Sequence, residues 1–312
     1  MKIWTPLDIP PQHGRVVVVT GSTGGLGYET ALALAGAGAR VVVTGRDHTK
    51  GAAALAGIRA AHPFANVVYE SLDLASLKSV RVFSERFCRE HNVLDVLVNN
   101  GGIMAPPKRQ ETVDGFEVQF GTNYLSHFAL TAQLLRALRQ SKVARVVNLS
   151  SIAHRYGAAI HFDDLNWQRR YAAFDAYGQS KLAMMMFTLE LQRRSDIGGW
   201  NLHSVAAHPG LARTSLLTNG LRLGRSRLAA WIDTLQGWLP AHMLRPASEG
   251  AIPTLYAATA PDAAKAGYYG PTGFLEIVGP VGLASIAPGA QDLAVSAKLW
   301  EQSEALTGVE WP

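Results

Sequence analysis

The sequence predicts an α/β fold: a single domain built on a doubly wound parallel sheet of about seven strands, with helices on both faces. Three observations carry that prediction. Short β-branched runs, at residues 16–19 and 40–44, are too short for globular helices and apolar at successive positions, as in strands buried on both faces. Helical stretches separate one run from the next, and strands alternating with helices imply right-handed parallel crossovers. Small or polar clusters close the runs, at 21–27, 45–47, 99–102 and 150–151, and ligands of such sheets sit at the carboxyl ends of strands.

The first unit organises the others. Four valines and Thr20 lead into Gly21-Ser22-Thr23-Gly24-Gly25-Leu26-Gly27, and a helical pattern follows from Tyr28. Strand, glycine turn and helix together hold a dinucleotide pyrophosphate. Glycines let backbone approach, and the helix N-terminus offers unpaired N–H groups at the positive end of its dipole. The second strand ends in Gly45-Arg46-Asp47, where it faces the adenosine ribose. An acid there binds the 2′-hydroxyl and an arginine suits a 2′-phosphate, so Arg46 points to NADP(H) in preference to NAD(H). Asp47 reads as the N-cap of the next helix.

The third strand, 66–72, is followed by Asp73 and Leu74 and by a helix over 77–91; Asp73 also reads as a cap for that helix. The fourth, 94–98, closes with Asn99-Asn100-Gly101-Gly102, small residues that let backbone pass close to a ligand. A long helix is expected from Phe116 to about Gln140, with Asn123 as a polar residue in an apolar run. The fifth strand, 143–149, ends in Ser150 and Ser151, and a hydroxyl there can meet a substrate carbonyl. Tyr177 and Lys181, four apart on a helix, share one face. A phenol of pKa ~10 is a poor acid–base group at neutral pH, and a nearby ammonium, together with the positive charge of an oxidised nicotinamide, favours phenolate and lowers that value. Strand six, 201–208, runs into Pro209, Gly210 and Thr214, and His208 reads as structural. A helix over 247–258, a seventh strand near 275–278 and a helix near 292–305 complete the chain.

Composition narrows the function. The 312 residues carry a net charge of +5 without a dense basic run interleaved with aromatics, which argues against nucleic acid and suits an anionic cofactor. The single cysteine, Cys88, excludes an intrachain disulfide framework. The N-terminus lacks an apolar signal core and no run approaches a membrane span, so a cytoplasmic protein is expected. His154, His161, Asp163, Asp164 and Trp167, between Ser151 and Tyr177, lack a recognisable ligand frame, and no metal is expected. Residues 211–246 combine leucines and tryptophans with five arginines. Such a surface suits a peripheral membrane contact or a homo-oligomer interface.

The spacing T-G-x-x-x-G-x-G, followed by N-N-G-G, by Y-x-x-x-K and by P-G-x-x-x-T, resembles the short-chain dehydrogenase/reductase superfamily, a Rossmann-type fold, over about residues 15–278. The runs N-Y-L-S-H-F and Y-Y-G-P-x-G-F resemble its retinol-dehydrogenase-like branch and bacterial relatives. The resemblance implies catalytic Asn123, Ser151, Tyr177 and Lys181, with Ser150 as the fallback serine. It implies cofactor contacts from Gly21, Ser22, Thr23, Gly25, Leu26, Gly27, Arg46, Asp73, Leu74, Asn99, Asn100, Gly101, Tyr177, Lys181, Pro209, Gly210 and Thr214. It also implies that residues 211–246 form a variable substrate lid. The activity implied is NAD(P)(H)-dependent interconversion of an alcohol and a carbonyl on a small apolar substrate. A non-catalytic NADP(H)-binding regulator and a sugar-nucleotide epimerase or dehydratase are the alternatives.

Overall fold

β-Branched residues crowd a helical turn and fit a pleated sheet, and the valine runs do form its centre. The computed structural model describes residues 3–211 and 245–312. Strands β1 (Val16–Val19), β2 (Arg40–Gly45), β3 (Val67–Ser71), β4 (Val96–Asn99), β5 (Ala144–Leu149) and β6 (Leu202–Ala207) pair in parallel in the order β3-β2-β1-β4-β5-β6. Successive valines of β1 point to opposite faces. Val18 packs in a cluster with Phe83, Leu97, Phe128 and Trp300, whereas Val17 and Val19 pack with Leu34, Ile58 and Leu255.

Helices α1 (Gly25–Gly36), α2 (His48–Ala61) and, later in the chain, α7 (Ile252–Thr259) cover the Val17 face. Helices α3 (Leu77–Glu90), α4 (Ser126–Leu138), α5 (Ala173–Gly198) and α8 (Leu293–Thr307) cover the other, while α6 (Ala247–Gly250) is a single turn before α7. Local sequence sets several helix starts. Asp47, Ser76 and Asp292 each accept a backbone N–H in the first turn of the helix that follows. Strand order reverses between β1 and β4, so the crevice for a ligand lies at their carboxyl ends.

Three elements differ from expectation. The sheet has eight strands: β7 (Tyr268–Pro271) continues it in parallel and β8 (Val281–Leu283) returns antiparallel. The strand expected near 275–278 is a turn, because Leu275 and Glu276 sit at φ 49° and 58°, which no strand permits. The Tyr-Tyr-Gly-Pro run is the strand instead, with Pro271 tolerated at its last position. The helix expected from Phe116 begins at Val118, because Glu117 bridges to Glu111 and its buried carboxylate accepts the N–H groups of Gln119 and Phe120 at 3.0 and 2.7 Å. It then widens into a π-helical turn over Phe120–Leu125 before α4. Among the described residues no helix is long and apolar enough to cross a membrane.

One buried cation ties sheet to helix. Arg145 on β5, 8% exposed, donates to the Ala257 and Ala260 carbonyls at 2.9 and 2.8 Å, where α7 ends. Arg145→Leu strands both carbonyls and should cost about 2–3 kcal/mol. A lower urea midpoint at unchanged m-value is the expected reading, with Arg145→Lys intermediate.

Candidate active site

The glycine turn is shaped by contact with its neighbours. Gly21 takes φ +61°, and a Cβ there would lie 2.7 Å from the Cα of Gly101. At Gly27 a Cβ would lie 2.4 Å from Asn100 Nδ2 and 2.6 Å from Gly21 O. Gly24, the N-cap of α1, brings no side chain to the first turn, so the N–H groups there are left to a ligand. Gly25 and the buried Leu26 open the helix, and Thr23 packs against Gly45 at the end of β2. Arg46 is exposed beside it and makes no hydrogen bond or ion pair among the described residues. Ser22 is different. Its N–H donates to Thr44 O at 2.9 Å and its hydroxyl to Val19 O at 2.7 Å, so its donors are spent within the fold.

The end of β4 divides in the same way. Asn100 donates to Thr20 O at 2.7 Å and Gly101 lies buried against Gly21, so both line the crevice. Asn99 points into the protein, donating to Asn148 Oδ1 at 2.8 Å and Thr131 Oγ1 at 3.1 Å. The side chains of Ser22 and Asn99 thus serve the fold at these strand ends. Leu74 reaches Gly101, and Asp73 accepts the Ala75 N–H at 2.9 Å.

The acid–base residues gather between the end of β5 and α5. The Ser151 hydroxyl acts on the Tyr177 phenol, lowering its pKa against the effect of burial, and accepts the Ala153 N–H at 3.2 Å, whereas Ser150 is buried and donates to the Lys181 carbonyl at 2.9 Å. The proton of Ser150 is thus committed within the fold. Lys181 Nζ lies 5.7 Å from the Tyr177 ring centroid and donates to Leu149 O at 2.9 Å. Asn123, inside the π-helical turn, donates to Ile103 O and Ser180 Oγ, both at 3.0 Å, and accepts the Ile103 N–H at 2.8 Å. Its amide protons are both used.

Pro209 and Gly210 follow β6, where the Gly210 N–H meets His208 Nδ1 at 3.3 Å. Thr214 and nearly all of the expected lid at 211–246 lie outside the described residues; the flanking Arg245 N–H donates to Leu211 O at 3.2 Å. The polar residues between Ser151 and Tyr177 do not converge. Asp163 pairs with Arg169 at 2.9 Å, His161 meets Trp167 edge-on, and His154 Nδ1 lies 2.6 Å from Ser151 O. Sequence reasoning passed over Arg155 and Glu276. They pair at 3.0 Å and, with Tyr156 and Leu275, line a cavity of about 320 Å³ at the end of the turn that Ser151 starts. Nothing in the local sequence announces a pair so far apart.

Residues 15–221 match the short chain dehydrogenase family. The chain belongs to that family. It is 39% identical over 308 residues to mouse retinol dehydrogenase 12, covering 98% of this chain and 90% of that one. To mouse polyprenol dehydrogenase it is 38% identical over 313 residues, covering 97% and 87%. The crystal structure of an uncharacterized protein from Mycobacterium paratuberculosis superposes with a TM-score of 0.80 at 39% identity over the full length of both chains. These likenesses place the chain in the retinol-dehydrogenase-like branch, as an NAD(P)-dependent oxidoreductase acting on a small alcohol or carbonyl.

Burial dominates the electrostatics of this short-chain dehydrogenase. It pushes the Tyr177 phenol up to about 12, opposed only by the Ser151 hydroxyl, and draws the Lys181 ammonium down to about 8. Burial therefore governs the phenol in the protein by itself. Desolvation outweighs a charge that is itself weakened by burial and turned to Leu149 O. The same effect lowers His127 and His208 to about 4, so both are neutral in the folded protein at neutral pH. The unfolded chain binds those protons first as pH falls, so stability is full above about pH 6.5 and is lost toward pH 4. Between pH 7 and pH 5 each histidine should remove about 2 kcal/mol. Urea unfolding at the two pH values, with the midpoint falling on acidification, is the expected result; equal midpoints would contradict neutral burial.

Proposed function

We propose that the protein interconverts an alcohol and a carbonyl on an apolar substrate, with NADP(H) preferred and Tyr177 as general acid and base. The observation that carries this reading is Lys181 Nζ 5.7 Å from the Tyr177 ring, with the Ser151 hydroxyl acting on the same phenol. The residues also suit a nicotinamide dinucleotide. A helix N-terminus without a side-chain cap favours its pyrophosphate, and an unpaired Arg46 at the end of β2 favours a 2′-phosphate. Gly21, Gly25 and Gly27 would hold the former, and Asn100, Gly101, Pro209 and Gly210 the nicotinamide side. When bound, that cofactor supplies the hydride in reduction and takes it up in oxidation.

The chain's own residues handle the proton and the oxygen. At neutral pH the phenol is protonated, so Tyr177 is ready to donate to the oxygen of a carbonyl being reduced, and in the reverse direction it takes the alcohol's proton. Ser151 orients that oxygen through its hydroxyl. Lys181 supplies positive charge that favours phenolate during turnover. Asn123 fixes the Ile103 backbone and α5 around the pair. Exposed apolar groups nearby favour an apolar substrate: Phe174, whose ring lies 6.2 Å from Tyr177, and Tyr156 and Leu275, each 59% exposed. Residues 211–246 would close over it.

Two measurements test this. Tyr177→Phe should lower kcat by about 10²–10⁴-fold while the Kd for NADPH stays within a few fold; undiminished turnover in that variant would refute the assignment. Arg46→Ala should raise the Kd for NADPH about tenfold, or about 1.4 kcal/mol, and leave that for NADH unchanged. An equal change for both nucleotides would remove the 2′-phosphate role.

A further inference from the structure

His127 on α4 is fully buried, and neither the cofactor contacts nor the Ser151–Tyr177–Lys181 set calls for it. Its Nδ1 lies 2.8 Å from the backbone carbonyl oxygen of Asn123 and its Nε2 lies 2.9 Å from Thr20 Oγ1. A carbonyl oxygen only accepts, so Nδ1 carries the proton. In a neutral ring Nε2 then presents a lone pair, and the one proton of the Thr20 hydroxyl goes to it. The other acceptor in reach, Val98 O, is farther away at 3.3 Å and already receives the Thr20 N–H at 3.0 Å. With its proton committed, Thr20 Oγ1 turns its lone pairs outward. They receive the Asn100 and Gly101 N–H groups at 2.9 and 2.8 Å.

The opposite tautomer breaks this order. Nδ1 would set a lone pair against the Asn123 carbonyl at 2.8 Å. Thr20 Oγ1 would face three N–H donors, with its own proton left to the distant Val98 oxygen. Burial and the neighbouring Lys181 ammonium both oppose a charged ring, so the doubly protonated form is not the alternative.

We propose that His127 is a positioning residue: as the Nδ1–H tautomer it directs one hydrogen-bond chain, Asn123 O to His127 to Thr20 to Asn100 and Gly101, that locks the floor of the dinucleotide site to the turn carrying Asn123. At one end the chain holds the Asn100–Gly101 backbone against the glycine turn. At the other it holds the π-helical turn from which Asn123 reaches Ile103 and Ser180. Thr20 and His127 stand 107 residues apart in sequence, so the coupling exists only in the fold. Its meaning for catalysis rests on the function proposed above; the hydrogen-bond order does not.

The test therefore begins with the unmodified protein. Long-range ¹H–¹⁵N spectra of the His127 ring should show a protonated Nδ1 and an unprotonated Nε2 between pH 6 and 8, and the Nε2–H form there would overturn the inference. Amide hydrogen exchange then reads the chain in variants. Glutamine carries an acceptor near the Nε2 position and asparagine a donor near the Nδ1 position. Exchange at Asn100 and Gly101 should stay slow in His127→Gln and speed up at least tenfold in His127→Asn and in Thr20→Val. Equal protection in all four proteins would also overturn it. NADPH Kd should follow the same order, within threefold for His127→Gln and about tenfold weaker for the other two. If the unmodified protein binds no dinucleotide, the proposed function falls, while the ring spectra and the exchange rates still decide the role of His127. If a variant does not fold, the ring spectra of the unmodified protein decide alone.

Discussion

The crevice between β1 and β4 depends on one constraint: backbone N–H groups must be left free for a ligand while the loop that carries them stays still. A helix start is ordinarily quieted by a side-chain cap, as Asp47, Ser76 and Asp292 do elsewhere in this chain. A cap on α1 would occupy the donors that a pyrophosphate needs. The turn is therefore held from outside. Gly21 and Gly27 press against Gly101 and Asn100 at distances that leave no space for a Cβ. Asn100 donates back to the Thr20 carbonyl, and Thr20 takes the two amides of the facing loop. Rigidity is supplied by two strand ends bracing one another, and the cost is that almost any side chain at Gly27 is excluded.

Burial acts on the site as a second constraint. Tyr177, Lys181 and His127 are buried, and in each case the charged form is penalised. The phenol holds its proton, the ammonium is weakened and the imidazole is neutral. Such a site is poised to give a proton, and it requires a further positive charge close to the phenol before it takes one back. The histidine fits the same logic. A neutral ring with one donor and one acceptor can pass hydrogen-bond direction between two loops, which a charged ring with two donors cannot do.

Much of this was legible in the residues themselves. Valine runs, glycine spacing, helix caps and the four-residue step from Tyr177 to Lys181 depend on neighbours within a turn or a strand, and sequence displays them directly. The failures share a cause. The seventh strand is expected near 275–278, yet pairing with β6 and β8 places it at Tyr268–Pro271. Arg155 finds Glu276 across the fold.

Sequence alone thus determined the sheet of buried parallel strands, the glycine turn at its centre, the family, and the serine, tyrosine and lysine of the candidate site, because each follows from local periodicity or a short motif. Tertiary structure decided which polar side chains face the crevice and which face the core. It also set the burial that holds the Tyr177 phenol up, and brought His127 to Thr20. Those outcomes turn on burial and on partners many residues away, and neither quantity exists until the chain has folded.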